Sequence, residues 1–134
     1  MIKSIKTNYQ VVDAKDYLTL ETGKRPSAEV TDNSNDIPSL GGENISNEGL
    51  IKFDNIRYVS KNYFKSCIKG IIKKEDILIN KDGAQTGKIA FVSEIPFEKS
   101  MVNEHIFIIR SNGEFHQQFL FYFLLSFEGQ NQIK

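Results

Sequence analysis

The alternation of apolar and polar positions predicts a β-hairpin near the middle of the chain. Residues 76–80 (DILIN) and 88–92 (KIAFV) are mainly apolar runs of strand length. The loop between them, KDGAQTG, contains an Asp-Gly pair and a second glycine, which is typical of a connection between paired strands. We therefore expect two rigid strands that present a polar loop at their end.

Two other segments have apolar residues at helical spacing. Residues 61–68 form a short pattern of this kind and are predicted as a helix capped by Ser60. Residues 114–128 form a longer one, which predicts a helix that ends at Gly129. Its phenylalanines recur every four residues, at Phe119, Phe123 and Phe127. We expect this wide aromatic face to pack in the hydrophobic core.

The remaining patterns complete the predicted fold class. Residues 13–22 are predicted as a short amphipathic helix that ends at Gly23. Residues 101–110, rich in β-branched and aromatic side chains towards their end, are predicted as one strand. This order of elements predicts an α+β domain with a small mixed or mostly antiparallel sheet and flanking helices.

Composition limits the class of protein further. The 134 residues suffice for one domain with a core, and 40% apolar residues are ordinary for a globular protein. The single cysteine, Cys67, excludes an internal disulfide framework and fits a reducing compartment. Neither a signal-peptide core nor an apolar run of membrane-spanning length is present. We therefore expect a cytoplasmic protein with no membrane partner.

The net charge is zero, but its distribution along the chain is uneven. Residues 57–88 contain eight Lys or Arg and three acidic residues, whereas residues 31–56 contain one Lys and five acidic residues. Such asymmetry can place a basic patch over a polyanion. A solvated surface would give the same counts, so charge alone leaves both interpretations open.

No catalytic or metal-binding constellation can be assembled from the sequence. The segment GAQTGK resembles a phosphate-binding P-loop, but it has three residues between its glycines instead of four, and Ile89 replaces the required Ser or Thr. His105 and His116 have no partner at a metal-ligand spacing. Neither a Gly-x-Ser-x-Gly elbow nor an Asn-Pro-Pro-Tyr-like methyltransferase loop occurs. We therefore expect no catalytic residue, no metal and no cofactor.

With these features in view, the chain resembles a target-recognition domain from the specificity subunit of type I restriction–modification enzymes. Six segments match in the order of that family and span most of the sequence. They are LETGKRP (20–26), IPSLGGENI (37–45), IRYVSKNYF (56–64), KEDILINKDGAQTGKIAFV (74–92), VNEHIFIIR (102–110) and SFEGQNQI (126–133).

This resemblance implies a non-catalytic reader of double-stranded DNA, built on a small curved sheet with flanking helices. The implied partners are a DNA-adenine methyltransferase (modification) subunit, a restriction (motor-nuclease) subunit and a second specificity half. Residues 1–134 would form a single target-recognition domain, incomplete at the C-terminus because the family continues into a spacer helix and a second recognition domain.

The DNA contacts are expected from loops. Phosphate contacts by cations would supply affinity, and side chains with paired donors or acceptors would read base edges. The expected DNA-binding residues are Lys24, Arg25, Lys81, Gln85, Thr86 and Lys88. Gln85 could bond adenine and Arg25 guanine in bidentate fashion. The residues expected to hold the loops in shape are Gly83, Gly87, Asn103 and Glu104.

Two alternative functions remain open from the sequence. One is a protein-interaction module or decoy built on the same fold, which the zero net charge favours. The other is the recognition region of a fused restriction–methyltransferase, which enzyme motifs elsewhere in a longer reading frame would reveal.

Overall fold

The computed structural model describes residues 13–25, 30–94 and 97–133. Pro26, which follows the predicted basic residues Lys24 and Arg25, lies outside these ranges. The strands are β1 (Leu18–Thr22), β2 (Val30–Thr31), β3 (Ile37–Leu40), β4 (Arg57–Val59), β5 (Ile77–Asn80), β6 (Ile89–Phe91), β7 (Met101–Val102) and β8 (Ile106–Ser111). The α-helices are α1 (Lys61–Ser66), α2 (Gln117–Leu125) and α3 (Phe127–Ile133).

The strands form two sheets of four, with the orders β1-β8-β5-β6 and β2-β4-β3-β7. All pairs in the first sheet are antiparallel. In the second sheet only β3 and β7 run parallel. The predicted α+β class with mixed, mostly antiparallel pairing is therefore confirmed, and the strands are divided between two sheets.

The first sheet is buried on both faces at its centre, whereas its edge strand β1 is partly exposed. Because successive side chains of a strand point to opposite faces, Leu78 of β5 packs in one apolar cluster, with Leu40 and Val102 of the second sheet. Ile77 and Ile79 pack in another, which includes Phe121 of α2. Burial on both faces explains why β5 is a nearly continuous apolar run.

The central hairpin and the short helix were predicted correctly. In the hairpin, β5 and β6 pair in the antiparallel register Ile77↔Phe91, Leu78↔Ala90 and Ile79↔Ile89. Helix α1 starts as expected, because the Ser60 hydroxyl accepts a hydrogen bond from the Tyr63 amide at 3.1 Å. It ends at Ser66, two residues before the predicted end.

The predicted helix over residues 13–22 was wrong. A single 3₁₀ turn, Ala14–Asp16, is capped by the side chain of Asp13, and β1 follows directly. All five residues of β1 pair with β8. The leucines and threonines of LTLET also fit a strand, and pairing with a neighbour outweighs the weak local preference for a helix.

The predicted single strand over residues 101–110 was also wrong. The chain leaves the second sheet after Val102 and enters the first sheet at Ile106. In the turn between them, the Asn103 side-chain oxygen accepts a hydrogen bond from the His105 amide at 2.9 Å. Asparagine stabilises such turns through this type of local hydrogen bond, which competes with strand pairing.

The terminal helix is divided and its exposed face was wrongly assigned to the core. Helix α2 ends at Leu125, and α3 begins after Ser126, whose hydroxyl accepts a hydrogen bond from the Gly129 amide at 3.2 Å. Gly129 therefore lies inside α3; a Cβ there would lie 2.2 Å from the Phe123 carbonyl oxygen. The three predicted core aromatics are exposed by 69% at Phe119, 40% at Phe123 and 82% at Phe127.

The helices within residues 13–25, 30–94 and 97–133 are short. The longest, α2, has nine residues. In this part of the chain, no helix combines the length and the apolar character needed to cross a membrane.

Candidate nucleic-acid interface

Four loops meet where strands of both sheets end. They are residues 23–25 after β1, 41–44 after β3, 81–88 between β5 and β6, and 103–105 between β7 and β8. Since β8 runs antiparallel to β1 and β5, its first residues lie beside the last residues of those strands, in the pairs Thr22↔Phe107 and Asn80↔Ile106. The two sheets thus bring together loops that are far apart in sequence.

Glycines allow these loops to pack closely. A Cβ on Gly23 would lie 1.9 Å from the Val102 carbonyl oxygen, and a Cβ on Gly41 would lie 2.6 Å from the Asn103 side-chain nitrogen. Both distances are far shorter than a van der Waals contact. Because the atom near Gly23 belongs to the backbone, a side chain at Gly23 would push the loops apart, whereas at Gly41 the Asn103 side chain would have to move. The turn that carries Asn103 is consequently held against two neighbouring loops.

The 81–88 loop is internally bonded, and its residues 82–86 are exposed. Gly83 and Gly87 have φ values of +74° and +91°, in the left-handed region that glycine adopts without steric cost. The Thr86 hydroxyl donates to the Gly83 carbonyl at 2.6 Å, and the Gly87 amide donates to the Asn80 carbonyl at 2.8 Å. This loop therefore presents its side chains from a defined backbone.

On one flank of the loop, charged side chains are linked to one another. Arg25 Nε lies 3.1 Å from Glu104 Oε1, and His105 Nε2 lies 3.5 Å from the same oxygen. His105 Nδ1 also lies 2.8 Å from Asp82 Oδ1. Partial burial disfavours ionisation of Glu104, but hydrogen bonds from its own backbone amide and from Arg25, with the charges of His105 and Arg25, lower its pKa below the ordinary value.

Two lysines belong to the same flank. Lys81 Nζ lies 3.2 Å from the Thr22 hydroxyl and 4.8 Å from the centroid of the Phe107 ring, a cation–π distance. The side chain of Lys24 is exposed, and its carbonyl accepts a hydrogen bond from the Tyr63 hydroxyl at 3.2 Å. A cleft of about 410 Å³ opens on this flank of the loop, and we name it the charged cleft. Its lining residues are Arg25, Val30, Ser39, Glu43, Arg57, Asn103, Glu104 and His105.

On the other flank, the remaining predicted residues line a different cleft, of about 310 Å³. We name it the amide cleft. Its polar side chains are Ser46, Asn47, Gln85, Thr86, Lys88 and Gln130. The two clefts share no lining residue. The structure thus separates the six predicted DNA-binding residues into two groups, Lys24, Arg25 and Lys81 on one flank and Gln85, Thr86 and Lys88 on the other.

Several residues of these clefts were not predicted from the sequence. Arg57 and His105 in the charged cleft, and Asn47 and Gln130 in the amide cleft, come from segments that were not assigned to DNA binding. The Asn-Glu-Gly sequence after Ser46 indicates a turn, but the position of that turn beside Gln85 depends on tertiary packing. Gln130 follows Gly129, the predicted end of the terminal helix, so its position in the cleft also depends on tertiary packing.

The basic residues of segment 57–88 are distributed over several surfaces. Lys61 and Lys65 line a cleft together with Asp36, while Lys73 and Lys74 line another one together with Arg110. Among the residues that the structure describes, no group of three or more His, Cys, Asp or Glu side chains could hold a metal ion.

The chain is similar to a known protein family. A family model described as "Type I restriction modification DNA specificity domain" matches residues 6–134. No curated protein matches the sequence.

Two solved structures share the fold. The crystal structure of the HsdS subunit from Thermoanaerobacter tengcongensis has a TM-score of 0.69 and 13% identity, and the match covers 96% of this chain and 31% of that chain. A chain from a structure concerning complex assembly and conformational transition of the type I R-M system has a TM-score of 0.62 and 14% identity, with 90% and 27% covered. This chain thus spans about a third or less of each solved chain.

Proposed function

Because the chain belongs to the type I restriction modification DNA specificity domain family, we propose that it recognises a specific sequence in double-stranded DNA and carries no catalytic residue of its own. The reaction would be performed by other polypeptides. These are a DNA-adenine methyltransferase (modification) subunit and a restriction (motor-nuclease) subunit, with a second specificity half contributing the other part of the target.

One observation supports this proposal above the others. At the exposed end of the hairpin, the side chains of Gln85 and Lys88 have no hydrogen bond or ion pair within residues 13–25, 30–94 and 97–133. The glycine-bent backbone that carries them is internally bonded. An unpaired amide and an unpaired ammonium on a rigid loop are suited to a base edge and a phosphate.

Both flanks would contribute phosphate contacts and base contacts. Lys81, Lys88 and Lys24 would contact phosphates, which provides affinity without sequence information. Gln85 would donate to and accept from the major-groove edge of adenine, with Thr86 beside it. Arg25 would have to exchange its contact with Glu104 for guanine or phosphate, since that ion pair occupies its Nε in the free protein.

Replacing Lys81 and Lys88 together by Ala is expected to weaken duplex binding about equally on all sequences. Each lost phosphate contact should reduce the slope of log K against log[salt] by about 0.9. Fluorescence anisotropy over a salt series, on several duplexes, measures both effects. The matched control is the double replacement of Lys61 and Lys65, exposed lysines of α1. An unchanged slope in the first variant would contradict the assignment.

Replacing Gln85 by Ala is expected to change the preference at one base pair and to leave the salt dependence intact. The difference in binding free energy between adenine and any other base at that position should fall by about 1–3 kcal/mol, which is the discrimination provided by one bidentate contact. Selection from a randomised duplex pool measures this preference. Gln118→Ala, which removes an exposed amide of α2, is the control.

Arg25→Ala tests the charged flank in the same selection. Loss of preference at a guanine is the expected result. An unchanged base preference in both Gln85→Ala and Arg25→Ala would show that other residues read the DNA.

A second function, that of a protein-interaction module built on the same fold, is favoured by the exposed aromatic side chains of α2 and α3. Phe119 and Phe127 are more than two-thirds exposed, and large exposed apolar patches often mark protein contacts. Binding to a modification subunit without any shift of duplex DNA at low salt would favour this function over DNA recognition.

A further inference from the structure

The amide cleft contains a polar side chain that the proposed function has not used. Besides Gln85 and Lys88, the side chain of Asn47 makes no hydrogen bond within the part of the chain that the model describes, and Asn47 is exposed. The other polar residues of the cleft are engaged. Ser46 Oγ accepts from the amides of Glu48 and Leu50, at 3.1 and 3.0 Å.

The turn that carries Asn47 is firmly attached to the domain. Gly49, with a φ of +86°, packs so closely on α2 that a Cβ there would lie 2.8 Å from the Phe121 ring. The Gly49 carbonyl also accepts a hydrogen bond from the Phe91 amide of β6, at 3.2 Å. Because β6 is the strand that leaves the 81–88 loop, Asn47 and Gln85 are held on the same rigid support.

Gln130 of α3 also lines the cleft. Its Nε2 donates to the Gly87 carbonyl at 3.2 Å and to the Leu124 carbonyl at 2.9 Å. Gln130 thereby joins the end of the 81–88 loop to the end of α2. We assign it to positioning this loop, because its donors are occupied by the protein.

The charge of the cleft is suited to DNA. No acidic side chain lines it among residues 13–25, 30–94 and 97–133, and Lys88 supplies a cation. The charged cleft differs in this respect, because Glu43 and Glu104 line it and form ion pairs with Arg57 and Arg25. The unpaired amides of Asn47 and Gln85, with no carboxylate among the lining residues of the cleft, make the amide cleft suited to reading base edges.

We propose that Asn47 is a second base-reading residue, which acts beside Gln85 on a different base of the same target. This inference rests on the proposed function. An Asn amide presents one donor and one acceptor in the arrangement that matches adenine N6 and N7 in the major groove. Two such amides on separate, fixed elements of one cleft would read two positions, so each should be separable by mutation.

The test uses the full chain and selection from a randomised duplex pool. Asn47→Ala should reduce discrimination at one base pair by about 5- to 150-fold, the equivalent of one bidentate contact. The affected position should differ from the one changed by Gln85→Ala. Asn47→Asp, which keeps the size and removes the donor, should shift the preference at that position from adenine towards cytosine, whose N4 donates to a carboxylate.

Asn62→Ala, which removes an exposed amide of α1, is the matched control and should leave the selected sequence unchanged. Thermal unfolding of each variant verifies that the domain is folded. A sequence preference that Asn47→Ala leaves intact would overturn this inference and leave the proposed function standing. A wild-type chain that binds all duplexes equally would overturn the proposed function as well.

Discussion

Replacing Arg110 by Ala is expected to lower the free energy of unfolding by about 3–5 kcal/mol, the usual cost of removing one partner from a buried ion pair. Arg110 Nε and Nη2 lie 2.7 and 2.8 Å from the two carboxylate oxygens of Asp76, and Nη1 lies 2.6 Å from Glu21 Oε2. The side chain of Asp76 is only 3% exposed. Without the guanidinium, this carboxylate would remain buried with no compensating cation.

The cluster joins three strands that are distant in sequence. Glu21 belongs to β1, Asp76 precedes β5, and Arg110 lies in β8 between those strands. Hydrogen bonding to Asp76 outweighs the effect of burial and raises the pKa of Arg110 above its ordinary value. The guanidinium therefore remains charged at every pH at which the domain folds, and the carboxylates remain its obligatory partners.

Urea unfolding monitored by circular dichroism measures the effect. Since a domain of this size has a total stability of about 5–15 kcal/mol, the variant should have a much lower midpoint or fail to fold. The control is Arg57→Ala, since Arg57 Nε lies 3.9 Å from Glu43 and its side chain is 72% exposed. That variant should change stability by no more than about 1 kcal/mol. Comparable losses in both variants would contradict the assignment of the buried cluster.

The sequence predicted best those elements whose signals are local. The β5–β6 hairpin follows from two apolar runs and the turn residues between them, and α1 from the capping residue Ser60. The loop of residues 81–88 was also located correctly, because its glycines mark the positions that require positive φ. These features need no knowledge of distant partners.

The sequence could not resolve elements that depend on their partners. Residues 18–22 become a strand because β8 is available beside them, and residues 103–105 turn because the chain changes sheets there. The amide cleft has the same origin. Its walls come from the 46–49 turn, the 81–88 loop and α3, so docking alone brings Asn47 and Gln130 to Gln85.

The buried face of the terminal helix was not predicted for a different reason. The run FLFYFLL, from Phe119 to Leu125, is apolar on all sides, so its spacing predicts a helix without indicating which face is buried. Choosing the phenylalanines at intervals of four selected the exposed side. The buried residue is Phe121, and it packs beside Leu120, Leu124 and Leu125 against the first sheet.

Phe121→Ala should therefore cost about 3–5 kcal/mol of unfolding free energy, the range for removing a buried phenylalanine ring. The side chain is 6% exposed, and its ring centroid lies 5.4 Å from that of Phe91. The ring also contacts Gly49 in the 46–49 turn. Truncation would leave a cavity between α2, β6 and the turn that carries Asn47. The loss of stability therefore includes the free energy of transferring the ring from water to the core and the cost of the cavity.

Phe119→Ala is the matched control, because the same residue type is removed two positions earlier in the same helix. Phe119 is 69% exposed, so this change should alter stability by no more than about 0.5 kcal/mol. Urea midpoints of the two variants, measured side by side, give the difference directly. A larger loss for Phe119→Ala than for Phe121→Ala would mean that the helix buries the opposite face. The 46–49 turn would then lose its contact with α2, and with it the rigid support on which Asn47 is proposed to read a base.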